Sequence, residues 1–242
     1  MVALATSQTA DQPLDRLVDR VAALVEKADL RLADTQTERE AIFRLRYQAY
    51  LREGAITPNE TGLFSDPLDD QPNALIYGVY LDGRLASSLR LHIATPEYPN
   101  LPAMNVFSDL LTPELEAGRV IVDPTRFVAC RHLSRAHPEL CYVTTRLAWM
   151  ASEYFQAKYL LATVRTEHQA FYRRTFGHKV VCDARHYPSL TKPISMMALD
   201  YLPNRERVLA RYPFFRSTFF ERRMLFSSFQ QQQMPLPLTK AA

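Results

Sequence analysis

RVIVDPTRFVAC, residues 119–130, is followed at once by RHLSRAHPELCYVTT, residues 131–145, and this junction decides the fold. The first piece predicts a β-strand, since it is rich in β-branched and aromatic residues. The second predicts a helix that begins at Pro138. Pro124 interrupts the strand and cannot donate to a sheet, so we expect an edge or a bulge there. A bulged strand directly before a helix is a point where a sheet can open to admit a ligand.

Strands and helices alternate on either side of this junction. The segments LIYGVYL and RLASSLRLHIA flank Asp82-Gly83, a dipeptide typical of tight hairpins, and YLLATV, KVVCD and ISMMALDY are later strands. Further helices are predicted at residues 14–28, 35–54 and 166–177, the last two with capping boxes at Thr35 and Thr166. This order predicts an α/β fold with a mixed central sheet, one bulged and splayed strand, and helices on both faces.

The length and composition favour one globular domain. Residues 13–202 hold the alternating elements, and residues 203–229 form a basic and aromatic extension. Residues 1–12 and 230–242 are predicted to be flexible ends. A net charge of +3 is too mild to favour nucleic acid. Three cysteines without close spacing favour a reducing, cytoplasmic location and no metal site. No apolar run is long enough to predict a membrane span, and the first residues lack a basic leader and an apolar signal core, so export is not expected.

Residues 30–202 are similar in the order of their elements to the Gcn5-related N-acetyltransferase superfamily. The segment RTEHQAFYRRTFGHKVV, residues 165–181, resembles its late helix and the strand that follows. The glycine-rich turn that normally holds the pyrophosphate of coenzyme A is replaced here by RHLSRAHPELCYVTT, which has no glycine. Two branches of the superfamily dispense with that turn: the acyl-homoserine lactone synthases and the long-chain N-acyl amino acid synthases.

Four local features carry the resemblance to these two branches. They are an early arginine with aromatics (Arg46, Tyr47, Tyr50), an acidic loop (Asp66, Asp69, Asp70), a basic residue in the second hairpin strand (Arg90), and the motif of Asp123, Thr125, Arg126 and Phe127. The branches usually have glutamate and serine where this chain has Asp123 and Thr125. Trp149 is the only tryptophan, and lactone synthases usually carry one soon after the first helix, so the N-acyl amino acid synthases look closer.

The resemblance implies transfer of a fatty-acyl group from a carrier-protein thioester to the α-amine of an amino acid. Asp123 would remove the proton of the amine, directly or through a water, and Tyr172 would protonate the leaving sulfur. An unperturbed aspartate has a pKa of about 3.9 and is a poor base unless burial raises that pKa; the alternative is that Asp123 only orients the substrate ammonium. Arg126 or Arg90 would hold the acceptor carboxylate, and Arg46 is a weaker candidate. The remaining substrate-binding candidates are Tyr50, Asp66, Asp69, Thr125 and Phe127.

Each role has a structural alternative that the residues alone leave open. Asp123 could simply turn the strand, Tyr172 could be a core aromatic, and Arg126 could pair with Asp66 or Asp70 to fix the loop to the core. The bulge amides between Pro124 and Val128 could hold the thioester oxygen, and the strands are expected to splay beyond Cys130 to receive the pantetheine arm.

The expected partners are acyl carrier protein and the amino-acid substrate, with acyl-coenzyme A as an alternative donor and no permanently bound cofactor. Arg131, His132 and Arg135 follow the bulged strand and would dock the acidic carrier by complementary charge. The basic and aromatic extension could instead contact a membrane surface. Two other functions stay open: a homoserine lactone synthase that uses S-adenosylmethionine, and a catalytically idle protein that binds acyl groups or carrier protein.

Overall fold

A computed structural model describes residues 12–188 and 190–233. The elements are α1 (Gln12–Lys27), β1 (Ala28–Leu32), α2 (Gln36–Arg52), β2 (Ala74–Leu81), β3 (Arg84–Ala94), α3 (Met104–Glu116), β4 (Ile121–Ala129), α4 (Arg131–Ala136), α5 (Leu140–Tyr154), β5 (Tyr159–Val164), α6 (Gln169–Thr175), β6 (Lys179–Arg185), β7 (Ile194–Asp200), α7 (Tyr201–Arg211) and α8 (Phe219–Gln233). A 3₁₀ turn at Pro67–Asp70 lies in the long loop between α2 and β2.

The strands form one mixed sheet in the order β1-β2-β3-β4-β5-β7-β6. Strands β4 and β5 are parallel, whereas the other neighbouring pairs are antiparallel. Because parallel neighbours need a crossover, α5 connects them and packs across β3 and β4. The predicted α/β class and mixed sheet are confirmed.

Strands β4 and β5 separate almost as soon as they meet. Their pairing covers only Ile121 with Tyr159 and Val122 with Leu160. From Asp123 onward β4 pairs with β3 alone, so the sheet divides into two halves that open towards the carboxyl ends of both strands. The expected splay is therefore present, but it begins directly after Val122 rather than beyond Cys130.

A β-bulge lies in β4 two residues after the proline. Arg90 pairs with Thr125 and Ser88 with Val128, so Arg126 and Phe127 together oppose Leu89. Arg126 has a φ of 54°, in the left-handed region that non-glycine residues rarely adopt. Pro124 itself keeps its place in the register opposite Leu91, so the bulge expected at the proline occurs at Arg126 instead.

Helices cover both faces of the sheet. Alternation along β3 sends Leu89, Leu91 and Ile93 into the large core that α1, α5 and α8 share. The other face of β3 and β4 meets α2 and carries buried polar side chains, among them Arg90, His92 and Asp123. Buried polar side chains need hydrogen-bond partners, and a group of them on one face of a sheet is a candidate functional site.

The sequence patterns predicted most elements and missed some. The capping box of Thr35 and Glu38 is confirmed, and Gly177 follows α6 with a φ of 88°. The cap at Thr166 is wrong, because a 3₁₀ turn spans Thr166–His168 and α6 begins at Gln169 without a side-chain cap. Helices α3 and α4 were not expected.

The chain ends were predicted to be flexible. Residues 1–11 and 234–242 of those ends lie outside the described residues. Helix α8 runs to Gln233, past the predicted start of the tail at residue 230.

Candidate active site

A cavity of about 440 Å³ occupies the gap between the separated strands. Its walls come from the end of α2, the bulged half of β4, the end of β5, α6 and the segment that leads into β7. Its lining residues include Tyr50, Arg52, Glu53, Thr125, Arg126, Phe127, Cys141, Arg165, His168, Tyr172 and Lys192. The volume falls in the range of small-molecule sites. The cavity lies at the carboxyl ends of the central strands β4 and β5, where their separation opens the sheet.

The acidic loop is fastened to the back of this cavity by three arginines. Asp69 is 2% exposed, and its Oδ1 accepts hydrogen bonds from Arg46 Nη1 at 2.8 Å and Arg90 Nη1 at 2.9 Å. Asp66 accepts from Arg90 Nη1 at 2.7 Å and forms an ion pair with Arg126. The 3₁₀ turn presents both carboxylates, because Asp66 and Asp69 cap it reciprocally. The long loop is therefore held by a buried charge network.

The network has a surplus of positive charge. Three guanidinium groups face two carboxylates, and Arg46 Nε, Arg46 Nη2 and Arg90 Nη2 have no hydrogen-bond partner among the described residues. Burial alone would raise the pKa of Asp66, but the charges of Arg90 and Arg126 outweigh burial and hold that pKa at about 2. Burial lowers the pKa of Arg46, against the opposing effect of Asp69. Both aspartates are consequently ionised at neutral pH.

Five of the predicted substrate and catalytic residues meet at the cavity wall: Tyr50, Thr125, Arg126, Phe127 and Tyr172. The guanidinium of Arg126 lies 4.5 Å from the ring centre of Phe64 and 5.6 Å from that of Tyr50. Arg46, Arg90, Asp66 and Asp69 stand behind this wall, outside the lining residues. The expected alternative, an ion pair between Arg126 and the acidic loop, is present with Asp66, whereas Asp70 approaches Arg39.

Asp123 lies on the same face of the sheet but does not line the cavity. Its side chain is fully buried, and Oδ2 accepts a hydrogen bond of 3.0 Å from the backbone nitrogen of Ala103. Oδ1 has no hydrogen-bond partner among the described residues. Burial raises the pKa of Asp123 to about 6, against the Ala103 bond and the charge of Arg90. The carboxyl is thus tuned towards proton exchange near neutral pH, but direct contact with a substrate in the cavity is excluded in this arrangement.

Tyr172 of α6 and Cys141 of α5 both line the cavity. Burial raises the pKa of the Tyr172 phenol, so the hydroxyl keeps its proton at neutral pH and can donate it, and no phenolate base is present at rest. Burial raises the pKa of the Cys141 thiol to about 11, which leaves too little thiolate for nucleophilic attack. Tyr172 packs edge-on against Phe171 and His178, so it is also part of an aromatic cluster.

The predicted docking residues Arg131, His132 and Arg135 all lie on α4 and are exposed. Ser134 of the same helix lines the cavity, so these side chains surround one of its edges.

The sequence reasoning missed a charged group at another part of the cavity rim. Glu53 pairs with Arg165 at 2.7 Å, and Arg165 Nη2 lies 2.8 Å from His168 Nε2. Arg52 and Lys192 are exposed, line the cavity and have no acidic partner within ion-pair distance among the described residues. These residues come from three distant segments, and no local pattern signals that they converge.

Comparison with known proteins gives the family. The sequence model described as FeeM, N-acyl amino acid synthase FeeM, matches residues 41–200. The chain belongs to this family. The match includes α2 from residue 41 onward, the acidic loop, the bulged strand and both sides of the cavity, and it confirms the family resemblance seen in the sequence. Members of the N-acyl amino acid synthase family are N-acyltransferases, and this chain is one as well.

Solved structures agree with the family at the level of the fold. FeeM, an N-acyl amino acid synthase from uncultured soil microbes, is 18% identical with a TM-score of 0.63, covering 76% of this chain and 96% of its own. The acyl-homoserine lactone synthase LasI is 13% identical with a TM-score of 0.57, covering 77% and 95%. MesI, a CoA-dependent acyl-homoserine lactone synthase, is 18% identical with a TM-score of 0.52, covering 79% and 96%. No curated protein matches the chain.

In residues 12–188 and 190–233, no group of three His, Cys, Asp or Glu side chains could hold a metal ion. The helices of the same residues include none that is long and apolar enough to cross a membrane.

Proposed function

We propose that the protein transfers a long-chain fatty-acyl group from acyl carrier protein to the α-amine of an amino acid, in the cytoplasm. The observation that carries the proposal is the cavity between β4 and β5, which the bulge at Arg126 borders on one side and Tyr172 on the other. The free cysteines Cys130, Cys141 and Cys182 are in keeping with a reducing compartment.

The cavity suits a thioester on an extended arm. Beyond Val122 the edge of β4 that faces β5 has lost its strand partner, so its backbone groups are available to a ligand in the gap. Phe127, Val128 and Phe171 give the cavity an apolar wall that an acyl chain can occupy. Backbone amides at the bulge are the candidate donors to the oxygen of the tetrahedral intermediate.

Proton movement is assigned to two residues. Tyr172 donates to the departing sulfur, since its phenol lines the cavity and is protonated at neutral pH. Asp123 takes the proton of the attacking ammonium through a water, because its carboxyl has a pKa of about 6 but lacks a surface on the cavity. The amine then attacks the thioester carbon, and the carbon–sulfur bond breaks as Tyr172 protonates the sulfur. The second proton that the nitrogen loses returns to the Tyr172 oxygen, so the amide and the free carrier thiol leave with Tyr172 protonated again.

The carboxylate of the acceptor is assigned to the cavity rim rather than to the buried network. Arg90 and Arg46 are engaged by Asp66 and Asp69 behind the wall, so a substrate carboxylate would have to displace them. Arg52 and Lys192 offer positive charge at the rim without such competition. This assignment replaces the sequence-based preference for Arg126 or Arg90 as the carboxylate partner.

The donor is assigned to the carrier protein because α4 presents Arg131, His132 and Arg135 beside the cavity, where an acidic partner would be attracted. The glycine-rich turn that would favour coenzyme A is missing, and this is a second reason to prefer the carrier over acyl-coenzyme A.

The test is mass spectrometry of lipid extracts from cells that express the wild type or the Asp123→Asn variant. A series of new masses that differ by acyl-chain units on one amino acid, lost in the variant, is the expected result. A lactone in the new species would replace the proposal with the homoserine lactone synthase. A folded protein that binds acyl carrier protein but yields no new species in either strain would replace it with the binding function.

A further inference from the structure

The most exposed large apolar side chains of the described residues belong to α7 and α8, in the C-terminal part of the chain. Phe219, Phe220 and Met224 of α8 are 66%, 70% and 69% exposed, and Leu202 at the start of α7 is 61% exposed. The next most exposed, Val181 on β6, reaches only 48%. Single exposed apolar residues are ordinary, but a cluster of this kind marks an interaction surface.

Helix α8 has two distinct faces. Phe226 and Phe229 are buried in the main core, and the hydroxyl of Tyr77 donates a 2.7 Å hydrogen bond to the carbonyl of Leu225, which fixes the helix on the sheet. At 100° per residue, Phe220 and Met224 lie on the opposite face, and the exposed Arg223 lies on the flank between the two faces. We call this set, with Phe219 and Leu202, the C-terminal patch.

A basic crevice of about 200 Å³ lies between α7 and α8 beside the C-terminal patch. Trp149, Tyr201 and Phe215 are buried residues of its lining, and Arg205, Arg216 and Arg222 supply positive charge. Arg222 donates to Ser217 rather than to an acid, at 2.7 Å to the carbonyl and 2.9 Å to the hydroxyl.

The acidic groups around the crevice are already engaged. Glu153 binds Arg205 and the hydroxyl of Tyr201, both at 2.8 Å. Glu206 pairs with Arg205 at 2.9 Å, and Glu221 pairs with Arg146. Among the described residues, Arg216, Arg222 and Arg223 have no acidic partner within ion-pair distance, so the crevice and the adjoining patch are positively charged.

We propose that the C-terminal patch and the basic crevice dock the protein on a membrane that contains anionic phospholipids. A lipid phosphate enters the crevice between Arg216 and Arg222, which have no acidic partner among the described residues, and Phe219, Phe220 and Met224 enter the boundary between headgroups and acyl chains. Exposed aromatic side chains flanked by arginine are the composition that membrane interfaces select, and an anionic surface attracts such basic groups.

An acidic carrier protein fits this surface less well than a membrane does. The carrier must deliver its arm into the cavity between β4 and β5, and neither α7 nor α8 contributes to the lining of that cavity. Helix α5 begins after the carboxyl end of β4 and ends at Tyr154, before the amino end of β5 at Tyr159. Crevice residues Trp149 and Glu153 therefore lie near the edge of the sheet away from the opening, and the carrier side stays free while the protein is docked.

The test is co-flotation of the full chain with vesicles of phosphatidylcholine, with and without phosphatidylglycerol. The wild type should bind only the anionic vesicles, and added salt should weaken the binding. Phe219→Ser with Phe220→Ser should lower the partition coefficient about tenfold, and Arg216→Gln with Arg223→Gln should lower it by a similar factor on anionic vesicles. The matched controls, Val180→Ser with Val181→Ser and Arg44→Gln with Arg84→Gln, should bind like the wild type.

Fluorescence gives an independent readout, because Trp149 is the only tryptophan of the chain and lines the crevice. Its emission should change on addition of anionic vesicles and not of neutral ones. Absence of vesicle binding, or equal losses in patch and control variants, would overturn the proposal. A response to inorganic phosphate without vesicle binding would indicate a soluble anion, and loss of carrier-protein binding in the patch variants alone would indicate a protein partner; either result would also overturn it. Acyl transfer in solution does not use these residues and should persist in the folded patch variants, so the test is independent of the proposed reaction.

Discussion

Replacing Asp69 with asparagine should destabilise the protein by about 3–5 kcal/mol, the cost of removing one partner from a buried ion pair. Asp69 is 2% exposed, and its Oδ1 binds two guanidinium groups, of Arg46 and Arg90. An amide can accept from one arginine, but it leaves three buried cations facing Asp66 alone. The one hydrogen bond to a charged group that the amide cannot make is worth about 1.5–3 kcal/mol, and the uncompensated buried cations account for the remainder.

The adjacent residue supplies the control for this experiment. Asp70 also pairs with an arginine, Arg39, but the Asp70 side chain is 78% exposed. Asp70→Asn should therefore cost less than about 1 kcal/mol. Urea unfolding followed by far-UV circular dichroism and tryptophan emission gives both values, and for a chain of this size the Asp69 variant should melt roughly 10 °C below the control.

The pH dependence and a double-mutant cycle sharpen the test. The charges of Arg46 and Arg90 lower the pKa of Asp69 although burial opposes them, so its contribution is present above its unfolded pKa and disappears as pH falls through the folded one. The gap between wild type and Asp69→Asn should accordingly shrink in acid. In a cycle with Arg46→Met the coupling should reach about 2 kcal/mol. An Asp69 variant as stable as the Asp70 variant, or a coupling near zero, would show that the network does not hold the loop.

Three further predictions concern the proposed reaction. Asp123→Asn should abolish turnover yet raise the free energy of unfolding at pH 7 by up to about 3 kcal/mol. The Asp123 carboxyl has a pKa of about 6 in the folded state against 3.8 in the unfolded state, so wild-type stability falls as pH rises from 3.8 to about 6. Equal pH profiles of stability for the wild type and the variant in urea melts would contradict this. Tyr172→Phe should lower kcat about ten- to hundredfold with little change in KM, and an unchanged single-turnover rate would remove Tyr172 from the chemistry. Arg131→Glu with Arg135→Glu should raise KM for acyl carrier protein about tenfold and leave kcat intact, whereas Arg44→Glu should change neither; an unaltered KM in steady-state assays would place the carrier elsewhere.

The sequence predicted the sheet and its helices because these elements have local patterns. The capping box at Thr35, the Asp82-Gly83 turn and the alternation along the hairpin act within a few residues, so they survive folding unchanged. Pro124 correctly indicated an irregular strand, although the bulge formed two residues later. Helix α3 was missed, since Pro113 lies inside it and Phe107 has non-helical dihedrals.

The site was predicted only as far as neighbouring residues determine it. The motif from Asp123 to Phe127 was found, but strand alternation and the bulge send Asp123 into the interior and Arg126 to the cavity wall. The pairing of Asp66 and Asp69 with Arg46 and Arg90 joins residues more than twenty positions apart. Such partners, like the rim residues Arg52 and Lys192, come together only through the tertiary fold, and their spacing along the chain carries no signal of it.

The short seam between β4 and β5 has a consequence for the stability of the enzyme. Two register pairs between β4 and β5, with backbone hydrogen bonds from Lys158 and Tyr159 to the carbonyl of Val120 just before them, join the two half-sheets. Farther along that line the described halves are held by side chains of α5 and its neighbours. A donor that fills the gap supplies the contacts a continuous sheet would have supplied, and whatever binds the folded state alone stabilises it by mass action. In the proposed function that ligand is the acyl thioester, so its supply would affect the stability of the folded protein as well as the rate of the reaction.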